Sequence, residues 1–502
     1  MPPTRISHAT TAGCIPAPTP PIATRARSQA WPPPCSSATA STSAATPSLS
    51  SAPRLRDSCR WRCSSFPPAH CAALAILAPL PRRCAMTTNA DLHEMSGKIT
   101  PEGLQAMRAR IGVLIPQPPP FNSEAHLDSI RHFCLGYGDD NPLFTEPGYA
   151  AKSRWFGLIA PPMYVTTMGE TSVGKIPPNI RQAGAHALVG VPNYQSGSDW
   201  HWIRPIRPGD SIKMNYFIEG VEEKRSEFGG GKAAIVYHRK EYVNQNDELV
   251  AVYRYYFFHV EREASEKTGK YMKIEQKVYT QAELDEIDKA YENELRRGDA
   301  PLYWEDVSVG MPMPTMVKGP LTTLEVMAWH QGWGWGVFRI APLRLGYLNR
   351  KRIPTFYTKN EYGYWEPAQR VHWDNVRAKK VGNPAAYDYG VMRTSWICHY
   401  LTNWMGDDGF LWKESDQSRK FNYHGDVQWV KAKITGKRQE GPNNIVELDI
   451  WCENQRGEIA TPGKATVLLP SRERGPIVIP ASAIKPTPLK NPYIAEAPGC
   501  IW

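Results

Sequence analysis

The chain has 502 residues and a formal charge of +10 at pH 7, a sign often associated with nucleic-acid binding. The excess is local. Residues 1–85 hold nine Arg, no Lys and one acid (+8), which leaves +2 on residues 86–502. A nearly neutral body excludes a nucleic-acid footprint, and the length leaves room for two or three domains.

Residues 1–85 hold six of the ten Cys and fifteen of the 46 Pro and show no apolar period. Such a segment cannot bury enough surface to fold alone. Its apolar run AALAILAPL (72–80) is too short to span a bilayer. The Arg-rich, acid-poor composition fits either an organellar transit peptide or a leader ahead of a second start at Met86. The body is therefore expected in the cytoplasm, or in an organellar matrix if the leader is a transit peptide. No other stretch is apolar enough to enter a membrane. The remaining Cys, at 134, 398, 452 and 500, have neither CxxC nor zinc spacing. This predicts a reducing compartment and no structural metal.

In chain order, Ser123–Gly136 has helical spacing and runs into the polar stretch GYGDDNPLFTEPGYA (136–150). A second helical region, kinked at LIAPPMY, is predicted over Tyr149–Met168. Four strand-like runs follow, at 199–206, 210–224, 232–244 and 248–263, rich in Val, Ile, Tyr and Phe. RPGD (207–210), FGGG (228–231) and NQND (244–247) supply the turns between them. Residues 263–300 are charged and helix-prone, which predicts a linker with a surface helix.

The second unit repeats the first. Residues 424–438 echo 208–225, residues 444–473 echo 233–263, and 371–406 lie over 143–169. A period of this size indicates a duplicated domain. Helix plus antiparallel sheet in each copy makes the class α+β. The expected division is 1–85 leader, 98–262 first domain, 263–300 linker, 301–475 second domain and 476–502 tail. GETSVGKI (169–176) has P-loop spacing, but Ile replaces the Ser or Thr that holds magnesium, so no nucleotide site is expected.

The stretch GYGDDNPLFTEPGYA, followed by FGLIAPPM, resembles the hydratase motif of the MaoC-like (R)-specific enoyl-CoA hydratases. WEDVSVGMPMP…GPLT resembles the start of another such unit. The resemblance implies tandem hot-dog domains, each a long helix wrapped by a curved antiparallel sheet, joined as a double hot dog. It implies an acyl-CoA thioester substrate, CoA being part of the substrate, with no metal or redox cofactor. The implied chemistry is hydration or dehydration by an Asp/His pair on one water. Asp139 falls on the family's catalytic Asp and Asn141 on its Asn, but Phe144 stands where the His belongs. In the second half His372 matches that His, Asp374 the following acid, and Gly390 the helix-start Gly that offers an oxyanion N–H. The second half's Asp position falls near Trp333, with His330 beside it as a spare base.

His372 is thus the expected acid/base, with Glu366, Asp374 or Asp139 as its carboxylate. Asn141 and Trp333 are expected at the substrate, and Arg344, Arg350 and Arg352 at its phosphates. Seventeen Trp suggest a roomy acyl pocket. A thioesterase on the same fold and a non-catalytic acyl-CoA-binding subunit are the alternatives. The expected assembly is a homodimer or a pairing with a partner hot-dog subunit.

Overall fold

The computed structural model describes residues 97–481, apart from 172–175, 177, 186, 226–231, 262–273 and 335–339, together with 484. The leader, the FGGG turn and residues 172–175 of GETSVGKI lie outside the described residues.

Strands form where the sequence alternates. In the first half they are β1 (Asn193–Trp202), β2 (Ile212–Lys224), β3 (Ala233–Asn244) and β4 (Leu249–Val260). After them come β5 (Met316–Lys318), β6 (Tyr357–Lys359), β7 (Trp365–Pro367), β8 (Phe410–Asp416), β9 (Gln428–Glu440), β10 (Asn443–Asn454) and β11 (Ile459–Leu469). Among the described residues, nine of them make one antiparallel sheet in the order β2-β3-β4-β1-β8-β11-β10-β9-β5. Reading outward from the β1–β8 seam, each half repeats the same order. Ser198 pairs with Asp416 and His201 with Lys413 across that seam. One sheet shared by two such halves is the double hot dog.

The repeat persists in single turns. Asn244 accepts from the N–H groups of Asn246 and Glu248 and donates to the Glu248 carboxylate. Asn454 does the same with Arg456 and Glu458. Each is a side-chain-capped turn closing a hairpin.

The helices divide the halves. In chain order they are α1 (Pro101–Arg108), α2 (Leu127–Leu135), α3 (Pro142–Thr145), α4 (Pro147–Ala150), α5 (Pro178–Ala183) and α6 (Gln281–Glu292). Then follow α7 (Thr323–Trp333), α8 (Leu343–Arg352), α9 (Asn375–Lys380) and α10 (Gly390–Met405). The sheet of the second half wraps α10, whose every residue after Gly390 is buried. Its polar side chains find partners, as burial requires: Arg393 meets Asp388, and Thr394 donates to Asp416.

The first half has no such helix among the described residues. The second helical region expected over Tyr149–Met168 is instead the end of α4, a loop and a 3-10 turn, Pro162–Thr167. Pro161 and Pro162 have no N–H to give a helix interior. Rings fill the space: Trp200 stacks on Tyr253 at 4.0 Å, Tyr253 on Tyr255 at 4.7 Å, and His238 on Tyr255 at 5.0 Å. Much of the aromatic content read as a roomy pocket is therefore core packing. Helices α2 and α7 cross where two glycines meet: a Cβ on Gly332 would lie 2.8 Å from the His132 carbonyl and 3.2 Å from the Gly136 Cα. No described helix is long and apolar enough to cross a membrane.

Candidate active site

A cavity of about 920 Å³ opens where the two halves meet. The first half contributes the start of β1, with Gln195, and rings from β3 and β4. The second half contributes Gln369, His372, residues 387–391 and the loop 417–421. His372 ends a 3-10 turn (Ala368–His372). Its Nδ1 lies 2.8 Å from the Tyr387 carbonyl, and its ring stacks on Tyr389 at 3.7 Å. A carbonyl only accepts, so Nδ1 carries the proton and Nε2 keeps its lone pair. Surrounding protein pushes the imidazole down to about 3, against the Tyr387 hydrogen bond; the neighbouring His330 and His424 add to the fall. The group is a neutral base at ordinary pH.

Gly390 opens α10 in the same cavity. The first N–H groups of a helix have no partner within it, and they sit at the positive end of its dipole. A Cβ on Gly390 would meet nothing nearer than Ser418 Oγ at 3.5 Å and the Gln195 amide at 3.7 Å. This N-terminus therefore faces open space suited to an oxyanion. Lys224, Arg393, Arg419 and Lys420 also line the cavity. Among the described lining residues Asp388 is the one carboxylate. Arg393 Nε holds it at 2.8 Å and Asn422 at 3.1 Å. Burial raises it to about 6 against the Arg393 charge.

The expected carboxylate partners lie elsewhere. Asp374 caps α9, accepting from Val376 and Arg377 N–H, and meets Arg370 Nε at 3.0 Å. Glu366, on β7, faces the same guanidinium at 3.4 Å. Both neutralise buried Arg370, and neither lines the His372 cavity. Asp139 is fully buried, held by Tyr137 OH and Asn141 N–H. Its Oδ1 is 3.5 Å from His399 Nε2, in the middle of α10. So Asp139 does meet a histidine of the other half, but that histidine is His399.

Asn141 caps α3, and Phe144 is core; both border a small apolar cavity of about 50 Å³. Trp333 also belongs to the core, 5.2 Å from Trp329 and 6.0 Å from Tyr389, because it ends the buried face of α7. His330 lies 2.9 Å from Tyr389 OH, and burial lowers it to about 4. Arg344, Arg350 and Arg352 sit on α8, outside the cavity lining; Arg350 stacks over Trp365 and Arg352 donates to Asn349. The cations that do line the cavity come from three separate segments, so no basic run marked them. Reasoning from sequence also missed Gln369, three residues before His372, and Gln195. The buried polar residues of α10 were the available signal for Arg393 and His399.

Residues 119–253 match the sequence family described as "FAS1-like, dehydratase domain region". Over 105 residues the chain is 26% identical to a UPF0336 protein of Streptomyces avermitilis, covering 21% of this chain and 67% of that one. Over 184 residues it is 25% identical to a probable enoyl-CoA hydratase alpha subunit of Thermomonospora curvata, covering 35% of this chain. The match spans about half the length of that subunit, 56%. A solved MaoC-like dehydratase superposes with a TM-score of 0.48 at 15% identity, over 72% of this chain and 99% of its own.

Proposed function

We propose that this chain, a MaoC-like protein built as a double hot dog, adds water to enoyl-CoA thioesters, or removes it from 3-hydroxyacyl-CoA, in the cavity at the seam. The supporting observation is that His372, with its Nε2 lone pair available, and the N-terminus of α10 line one cavity. His372 Nε2 takes a proton from water as the oxygen adds to the β-carbon. The thioester oxygen gathers negative charge and is held by the N–H groups at Gly390. His372 then returns its proton to the α-carbon, which completes the addition of water across the double bond. Lys224, Arg393, Arg419 and Lys420 suit the phosphates of CoA.

A second reading draws on Asp388, the one carboxylate among the described lining residues, being tied to Arg393 and Asn422 through Oδ2. In that reading the chain binds acyl-CoA without converting it. Loss of enoyl-thioester absorbance over a panel of enoyl-CoAs, wild type beside His372→Ala, separates the two. Turnover lowered about a hundredfold in the variant supports catalysis by His372. Full turnover in His372→Ala removes it from that role. Binding with no turnover in either protein leaves the binding subunit. Release of free thiol would indicate a thioesterase.

A further inference from the structure

A second cavity, of about 780 Å³, shares no lining residue with the first. It lies between the end of α2, the start of α7, β5 and the first turns of α10. Leu324, Ala328, Met392 and Trp396 give it apolar walls. Into it faces Lys318, the last residue of β5, whose side chain is 7% exposed. Lys318 Nζ is 2.9 Å from His399 Nδ1 and 3.9 Å from Glu294. His399 Nε2 is 3.5 Å from both Asp139 Oδ1 and Glu294 Oε1. An amine, an imidazole within hydrogen-bond reach and a carboxylate behind the imidazole are the three parts of an activated nucleophile.

We propose that Lys318, His399 and Glu294 form a nucleophilic triad that captures aldehydes or ketones as an imine on Lys318. With the ammonium donating to Nδ1, the imidazole proton sits on Nε2, which faces the Asn403 amide at 3.1 Å and the two carboxylates at 3.5 Å. His399 takes a proton from Lys318 at Nδ1 and passes its Nε2 proton to Glu294, which lines the cavity. The free amine attacks the carbonyl carbon. The carbonyl oxygen collects one proton from Glu294 and one from the nitrogen, then leaves as water. The sum is ammonium plus carbonyl giving iminium plus water, with no oxidant or reductant.

The charged groups around the amine are Glu294, Asp139 and Asp140, with Arg296 paired to Asp140 at 2.6 Å. Burial nonetheless pushes Lys318 below the ordinary lysine range, against the pull of those three acids. Burial, together with the Lys318 and Arg296 charges, holds His399 neutral. It therefore relays protons rather than storing one.

The test is reductive trapping. The full chain is incubated at pH 7 with benzaldehyde and cyanoborohydride, and labelling of each lysine is followed by peptide mass analysis. Lys318 is expected to label at least about tenfold faster than exposed Lys464, as a desolvated amine beside a base should. His399→Gln should lower the Lys318 rate about tenfold, while Lys464 labels as before. Lys318→Arg should abolish the fast site. Labelling of Lys318 no faster than Lys464 in the wild type, a measurement that depends on no variant folding, overturns the proposal. So does an unchanged Lys318 rate in folded His399→Gln.

Discussion

At the scale of single residues, the role proposed for His372 rests on one hydrogen bond. The Tyr387 carbonyl fixes the Nδ1 proton, and the surrounding protein keeps the ring neutral. The pH dependence follows with a definite sign. A base with its pKa lowered to about 3 stays competent well below the pH at which a free histidine would protonate. The acid limb of kcat/KM should therefore be absent between pH 8 and about 5; a pH–rate profile with a limb centred near 6.5 would contradict this. Linkage runs in the same direction. Below the unfolded value of about 6.5 the unfolded chain binds a proton that the folded site refuses, so His372 costs the fold stability as pH falls.

At the scale of elements, the predictions concern caps and crossings. Asp374→Ala removes the side-chain cap of α9 and one of the two carboxylates beside buried Arg370. Thermal unfolding should show a loss of about 1–3 kcal/mol, with kcat falling far less than in His372→Ala. Equal losses of activity in the two variants would return Asp374 to the chemistry. Gly332→Ala places a methyl group against the backbone of α2. It should cost about 1–3 kcal/mol by the same measurement, whereas Gly363→Ala, whose Cβ meets nothing within 4 Å but whose φ is +82°, tests backbone strain alone. The elements also show what was legible. The four strands of the first half and β9 to β11 of the second follow from period-two runs and Gly or Asn turns, because both signals are local, whereas β8 was not read. The lost helix of the first half was not read, although Pro161 and Pro162 were in plain sight, since the repeat predicted a helix that local chemistry forbids.

At the scale of the molecule, the halves share one sheet, and β1 and β8 leave unpaired edges if separated. Residues 86–262 and 274–502, expressed apart, should each lack the full secondary structure and cooperative unfolding of the whole chain, and should recover both on mixing. Circular dichroism and thermal scans read this. Two independently cooperative halves would show that the seam contributes little. The cavity with His372 belongs to this scale, since β1 of one half and α10 of the other both form its wall.

The duplication, the α+β class and the motif around Asp139 were legible in the sequence alone. Each rests on residue type at short spacing, where backbone preference and hydrogen-bond chemistry act locally. Which histidine meets Asp139, which cations share a cavity with His372, and that Glu366 and Asp374 turn to Arg370 were decided by the tertiary structure. Those contacts join segments far apart in the chain, and buried charge is placed by whichever neighbour the packing brings within reach. Local pattern carries no record of that neighbour.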